Sequence, residues 1–410
     1  MLPAATPVTE GVRPPGRAAV LRGPFGPARG RDADAAAGHD GRVDRRDDYA
    51  IAPERTFLNH GSFGATPLPV LEVARGLRAE AEQDYPGFYH ERVFPLLEAS
   101  RRAVCHYLGV PADRGVFVRN ATTAMQTVVD HLALRPGDRV VTTSREYEAT
   151  TVLLRLLTAR GVEVETVDGG FSGLGERVLA AVGPRTRAVV VSHVTSPWSQ
   201  VNPVDELSDA LAGTGVAVVV DGAHTAGMMP MPVAGPGVFG CLTLHKWLHL
   251  PTGTGFLVLP EEAAPTVRPV VTSWFAESED LARRFSWAGT DDVVAHLLGR
   301  EAVAYQRDLE RDGLADHRAK LTTHAHDRLL AVPGVYALPP APRAPAMVAV
   351  GLPALDPEEL LARLHRRGVD LWCGTTGEGP VLRLSVAPYT TAEDVDHGLG
   401  VLDEELAALR

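Results

Sequence analysis

VAVVVDGAHTAG (residues 216–227) and GCLTLHKWLHLPTGTGF (residues 240–256) decide how this chain folds. Residues 216–220 form a short, unbroken β-branched run, the pattern of a strand buried on both faces. That run delivers Asp221 at its carboxyl end, where open α/β sheets place their ligand chemistry. A second short strand, near residues 241–244, delivers His245 and Lys246 in the same way. Gly253 and Gly255 then mark a turn before a third apolar run, residues 256–259.

Taken singly, Asp221 reads as a helix cap and Lys246 as a turn residue. Together, an acid and an amine on neighbouring strand ends suit pyridoxal phosphate (PLP). That cofactor needs a lysine as covalent anchor, and a carboxylate to keep its pyridine nitrogen protonated so that the ring can act as an electron sink.

Outward from this centre the chain alternates strand and helix. Strands are expected near residues 116–119, 139–143, 162–167 and 187–192, with helices at 150–160, 174–182 and 203–211. Such alternation implies a parallel sheet with helices on both faces, an α/β fold. Upstream, Pro67 opens an amphipathic helix to about Gln83, and residues 94–108 form another. Downstream, a long helix over 293–311 bridges to an α+β portion with helices at 316–332, 356–367 and 391–409 and strands at 346–350 and 381–385. The expected division is a disordered extension over 1–50, rich in Ala, Gly, Pro, Arg and Asp, a large domain over 51–300 and a small one over 301–410.

Composition narrows the function. A chain of 410 residues holds a large core, and 45% hydrophobic with 22% charged residues is ordinary for a globular protein. The net charge of −11 argues against nucleic acid and anionic membrane surfaces as partners. No stretch approaches the roughly 20 apolar residues of a membrane span. The three widely spaced cysteines suggest a reducing, cytoplasmic setting, and no metal-ligand spacing is present.

Asn120-Ala-Thr-Thr123 lies where a strand ends and a helix begins, and a helix start is a natural anion site. Thr122 and Thr123 can add hydroxyl donors, while Asn120 is equally a good N-cap. Arg383, in Leu382-Arg-Leu-Ser385, carries a planar fork that matches a substrate carboxylate.

DGAH followed by HKW resembles the class V aminotransferase family of fold-type I PLP enzymes, and within it the isopenicillin N epimerase-like branch. The resemblance runs from about Phe57 to the C-terminus. It implies a mostly parallel seven-stranded sheet plus a smaller α+β C-terminal domain. It places PLP on Lys246, its pyridine nitrogen against Asp221, and its phosphate near Asn120, Ala121, Thr122, Thr243 and His245. It gives Tyr147 a stacking role over the ring, and Thr195, Ser196 and His224 contacts to the ring's phenolic side. Phe57-Leu-Asn-His-Gly-Ser-Phe-Gly64 resembles the family's loop over the active site, so Asn59 and His60 are expected beside the substrate, with Arg383 on its carboxylate. Trp287-Ala-Gly-Thr290 resembles a turn whose threonine reaches the partner's phosphate, which implies a homodimer with shared sites. Two departures stand out: Trp198, where a small hydroxyl residue is expected near the substrate, and Asp291, where the family has arginine.

The resemblance implies chemistry at the α-carbon of an amino acid or amino-acid-derived substrate. Epimerisation is the leading expectation, with C–S lyase, aminotransferase and cysteine desulfurase as alternatives and a PLP-binding sensor as the non-enzymatic one. Cys373 lacks the sequence context of a desulfurase nucleophile and reads as a packed strand residue.

Overall fold

The structure is a computed structural model that describes residue 43, residues 45–231 and residues 235–409. Its centre is a seven-stranded sheet built from β2 (Gly115–Val118), β3 (Arg139–Thr143), β4 (Glu163–Val167), β5 (Thr186–Ser192), β6 (Ala217–Gly222), β7 (Val238–Thr243) and β8 (Gly255–Val258), in the order β2-β8-β7-β6-β5-β3-β4. β8 runs antiparallel to both its neighbours, and the other pairs are parallel. The mostly parallel sheet expected from the sequence is therefore present.

The β-branched runs explain why this sheet sits at the centre. Successive side chains point to opposite faces. Ala217 and Val219 of β6 join Val140, Val190, Met125, Leu154 and Leu157 on one face. Val218 and Val220 join Val141, Val189, Val191, Val178 and Leu207 on the other. Helices Ala121–Leu132 and Glu148–Thr158 cover the first face, and Leu174–Ala181 and Val204–Leu211 the second. Each fully buried valine contributes about 1.5–3 kcal/mol of hydrophobic stabilisation.

A second layer contains β9 (Met347–Gly351), β11 (Trp372–Thr376) and β12 (Gly379–Ser385), antiparallel in the order β11-β12-β9. Helices Leu314–Ala331, Pro357–Arg366 and Ala392–Ala408 pack on it around Leu329, Val348, Leu364, Leu382 and Leu399. The start of the chain joins this layer. β1 (Thr56–Phe57) pairs in parallel with β10 (Val369–Asp370), and Leu58 is buried in the same cluster.

Three local expectations change. Residues 1–42 and 44 of the expected disordered extension lie outside the described residues. Its last part is structured: Val43 and Tyr49 are buried with Tyr305, Leu309 and Tyr389. Two apolar residues without periodicity left no signal in the sequence. The helix expected over 293–311 is a 3-10 segment, Val294–Leu298, followed by an α-helix, Gly299–Arg311. Ser100 Oγ accepts from Gly299 N–H and donates to the His296 carbonyl, pulling the junction against helix Val93–Leu108. Cys373, read as a packed strand residue, lies inside the five-residue strand β11, whose extent the sequence did not mark.

Candidate active site

Strands β5, β6 and β7 end together, and their carboxyl ends floor a cleft of about 350 Å³. Its wall includes Ser192, Asp221, Ala223, His224, Thr243 and Lys246. Two hollows of about 880 Å³ lie elsewhere, and neither contains Asp221 or Lys246. Chemistry, not size, identifies the site.

Lys246 follows β7 in a turn and keeps a partly exposed face in the cleft. Burial of its amine pushes the pKa down to about 8, the Arg383 charge adds to this, and Asp221 opposes it. An amine so lowered is a better nucleophile near neutral pH. Asp221 is buried at the end of β6. Its Oδ1 accepts from Ala223 N–H at 3.0 Å and its Oδ2 from Thr150 Oγ1 at 3.4 Å. Burial raises its pKa, while Ala223 N–H, Lys246 and Thr150 oppose the rise. No cation of the described residues forms an ion pair with it, so a protonated ring nitrogen would supply the missing counter-charge.

His224 is buried and neutral, its pKa driven well down by burial and by the charges of Lys246 and Arg383. Trp247 Nε1–H donates to its Nδ1 at 3.2 Å, so Nε2 carries the proton and is the donor. Nδ1 of His245 donates to the Thr254 carbonyl at 3.0 Å, which leaves its Nε2 as the acceptor.

The turn expected to hold a phosphate lies at the cleft, where helix Ala121–Leu132 begins. Asn120 Oδ1 accepts from Thr123 N–H at 2.8 Å and Thr123 Oγ1 at 3.0 Å, so Asn120 is the N-cap and the Thr123 hydroxyl is already engaged. The helix start at Ala121 and Thr122 lines the cleft with Thr243, His245 and Gly253. β8 presses against this turn closely enough that a Cβ at Gly255 would lie 2.5 Å from Asn120 Cα. Glycine there lets the turn close.

Tyr147 lines the cleft from the turn after β3 and is 51% exposed. Ser196 lines it too. Arg383 lies one side chain behind the wall. Its Nη1 donates to Ser196 O and Oγ at 2.9 and 3.0 Å, and its Nη2 to Asn59 Oδ1 and Ser62 Oγ at 3.1 and 2.8 Å. Among the described residues no carboxylate forms an ion pair with it, and burial pushes its pKa down to about 10. A buried cation facing only neutral oxygens is costly until an anion joins it.

Several expected placements are corrected. His60 is fully buried beneath the site. Its Nε2 meets the Lys246 carbonyl at 2.9 Å and its Nδ1 the Tyr389 hydroxyl at 3.0 Å, so both nitrogens are used and none is left for substrate. It supports the lysine turn instead. Gly64, at φ 74°, lets the loop pass over His245, where a Cβ would meet the His245 carbonyl oxygen at 2.1 Å. Thr195 is turned inward, its hydroxyl spent on the Gln200 backbone. Trp198 lies outside the cleft wall, under the Arg145 guanidinium at 5.2 Å. Thr290, expected at the partner's phosphate, is exposed and lies outside the cleft of its own chain, which leaves that expectation untouched.

Two residues went unrecognised in the sequence. Arg119, just before the phosphate turn, lines the cleft and pairs with Asp291. It places an arginine beside Asp291, the position where the sequence departs from the family's arginine. Thr150 holds Asp221 from one helical turn beyond Tyr147, and only the three-dimensional overlap of strand and helix shows it.

No cysteine lines the cleft. Cys373 is buried in β11, and burial pushes its thiol up to about 12. Among the described residues no group of His, Cys, Asp and Glu could hold a metal ion, and no helix is long and apolar enough to cross a membrane.

Comparison with known proteins agrees with this geometry. The class-V aminotransferase family matches residues 88–397. Isopenicillin N epimerase of Streptomyces clavuligerus is 30% identical over 379 residues, covering 86% of this chain and 95% of that protein. A cysteine desulfurase of Haloferax volcanii is 27% identical over 381 residues, covering 85% and 88%. The cystine C–S lyase C-DES, solved with its product cysteine persulfide, superposes with a TM-score of 0.74 at 21% identity, covering 86% and 98%. A mutant of C-DES with glycine covalently linked to the PLP cofactor gives a TM-score of 0.75 at 21% identity, covering 88% and 99%. The donor set of the cleft fits PLP, and the chain belongs to the class-V aminotransferase family of PLP-dependent, fold-type I enzymes.

Proposed function

We propose that this enzyme epimerises the α-carbon of an amino acid or amino-acid-derived substrate. The observation that carries this reading is the content of the cleft: one amine, one buried carboxylate, hydroxyls and imidazoles, and no thiol. Desulfuration needs a cysteine thiolate that can take up sulfur, and Cys373 is walled into β11. The similarity to isopenicillin N epimerase over most of both chains supports epimerisation as the outcome.

In this reading Lys246 anchors PLP and Asp221 faces its ring nitrogen. The helix start at Ala121–Thr122, with Thr243 and His245, holds the phosphate, and Tyr147 covers the ring. Bound there, PLP supplies the electron sink that acidifies the substrate's Cα–H. Lys246, with its pKa near 8, carries that proton at physiological pH. Once the substrate's own amine has displaced it, the free Lys246 amine would take the proton from Cα, and a proton delivered from water to the opposite face would invert the centre. Arg383 orients the substrate through its carboxylate, exchanging contacts with Asn59, Ser62 and Ser196 for a paired, charge-assisted one.

The reading includes a cytoplasmic homodimer. Phe63 (70% exposed) and Tyr147 stand open at the mouth of the cleft, and a second copy would cover them and bring Thr290 to the phosphate. All three cysteines are free and buried, which supports a reducing compartment.

Incubating the holoenzyme with a panel of amino acids in D₂O tests the reaction. Deuterium at Cα together with inverted configuration is the expected result. Release of pyruvate or sulfide, without recovery of the inverted amino acid, would overturn it.

A further inference from the structure

Two side chains hold the Tyr147 turn onto adjacent strand ends. Glu146 Oε1 accepts from Thr143 Oγ1 at 2.7 Å, and its Oε2 from Ser192 Oγ at 2.6 Å. One helical turn later, Thr150 reaches Asp221. Ser192 and Asp221 stand in register on β5 and β6, and both line the cleft. Glu146 is buried and stays behind the wall. A second acid is thus tucked beside the one assigned to the ring nitrogen, and nothing in the proposed reaction uses it.

We propose that Glu146 is a positioning residue of the cofactor site. It pins the Tyr147 turn to Ser192, and when ionised it adds a second buried negative charge that strengthens the hold on the protonated ring nitrogen of PLP. The inference rests on the placement of that nitrogen against Asp221.

The surroundings of Glu146 make its charge conditional on pH. β3 presents the Thr143 hydroxyl, β5 the Ser192 hydroxyl and β6 the Asp221 carboxylate. The neighbouring cation, Arg145, turns its guanidinium away to Glu378 and Gln200. Burial pushes Glu146 up to about 7, the Asp221 charge adds to it, and the bonds from Ser192 and Thr143 oppose it. Below neutrality the carboxyl is protonated and donates to one of the two hydroxyls. Above neutrality it accepts from both, and the pocket carries one more negative charge. That charge favours a protonated ring nitrogen. The protein alone feels the opposite sign. A carboxyl whose folded pKa lies above its unfolded one stabilises the fold at low pH, and this contribution fades as pH rises from the unfolded pKa of 4.5 through about 7.

The experiment measures how fast cofactor leaves the holoenzyme between about pH 6 and about pH 8. It compares the parent with Glu146→Gln, each loaded with PLP or with the carbocyclic analogue that lacks the ring nitrogen. Lys246 anchors all four, so its own titration cancels. In the parent with PLP, loss should slow several-fold as pH rises. That extra slowing should be absent in Glu146→Gln and with the analogue, which keep only the pH dependence common to all four. Equal slopes in the parent and Glu146→Gln would overturn the proposal alone. A parent that holds the analogue as tightly as PLP at every pH would overturn the Asp221 placement and the proposal with it. Ser192→Ala gives a second check should the glutamine variant not fold. It removes a donor to the ionised Glu146, so the midpoint of the slope should move to higher pH, and an unmoved midpoint counts against the proposal.

Discussion

Two buried arginines lie near the lysine turn, and only one of them, Arg383, contacts side chains that line the cleft. Arg383 and Arg318 are both almost fully buried, both pushed down to about 10 by burial, and neither has a carboxylate in ion-pair contact among the described residues. Arg383 spends its donors on Ser62, Ser196 and Asn59, and the two serines line the cleft. Arg318 rests over the Trp247 ring at 5.5 Å and donates to the Gly227 carbonyl at 2.9 Å, with Nε and Nη2 unpartnered. Burial and a lowered pKa therefore do not mark a functional arginine. What marks it is whether its contacts are exchangeable for a ligand. Arg383 holds side chains that line the cleft of Asp221 and Lys246 (the front), whereas Arg318 faces a separate hollow of about 880 Å³ with Gly227, Gln306 and Arg343 (the back).

The largest test of this contrast is Lys246→Ala. It removes the group facing the front, and turnover should fall by about 10⁴-fold or more, with thermal unfolding of the apo-protein little changed. Borohydride reduction of the parent followed by peptide mapping should place the pyridoxyl group on Lys246. Finding it on Lys320, the chain's other lysine, would remove the front from the active site.

The back is tested by shortening the chain. A protein starting at Ala52 loses the Tyr49 ring, which packs against His249, Tyr305 and Tyr389. Loss of a buried aromatic costs about 3–5 kcal/mol, seen as a lower melting temperature. A protein starting at Val43 should melt like the parent. Equal melting of both would show that Tyr49 does not stabilise the back.

Paired arginine variants sharpen the comparison directly. Arg383→Lys gives up the planar fork and should weaken substrate binding by about 2 kcal/mol, with cofactor affinity unchanged. Arg318→Lys should lower the melting temperature and leave KM as it was. If the two variants exchange these effects, the assignment of front and back is reversed. The smallest effect belongs to Cys373→Ser, which touches neither side. Turnover should stay within about threefold of the parent, well under 1 kcal/mol in barrier. Sulfide release from cysteine that disappears in this variant would restore the desulfurase reading.

Much of the front was legible because strand ends are written locally. A β-branched run followed by Asp221, and an apolar run followed by Lys246, announce both the buried sheet and what it carries. The back was not legible. His60 looked like a substrate ligand because its sequence neighbours lie near the substrate, but tertiary packing points both its nitrogens at Lys246 and Tyr389. Thr195 and Ser196 read alike in sequence, and only the turn onto Gln200 sends one inward and the other into the cleft. Tyr49 had no periodic pattern around it, since one ring wedged between distant elements leaves no local trace.

The pairing of β1 with β10, and the meeting of His60 with Tyr389, have a consequence for synthesis. A ribosome adds about 5–20 residues per second and releases the N-terminal part first. The sheet from β2 to β8 can form while the rest is still being made. The support under Lys246 cannot, because Arg383 and Tyr389 leave the ribosome among the last residues. During translation the early segment around Tyr49 and His60 can meet Lys246, His249 and Tyr305, but it lacks Tyr389 until the end. On the proposed placement of PLP at Lys246, a nascent chain stalled before Tyr389 lacks that support and should hold the cofactor less firmly than the full chain.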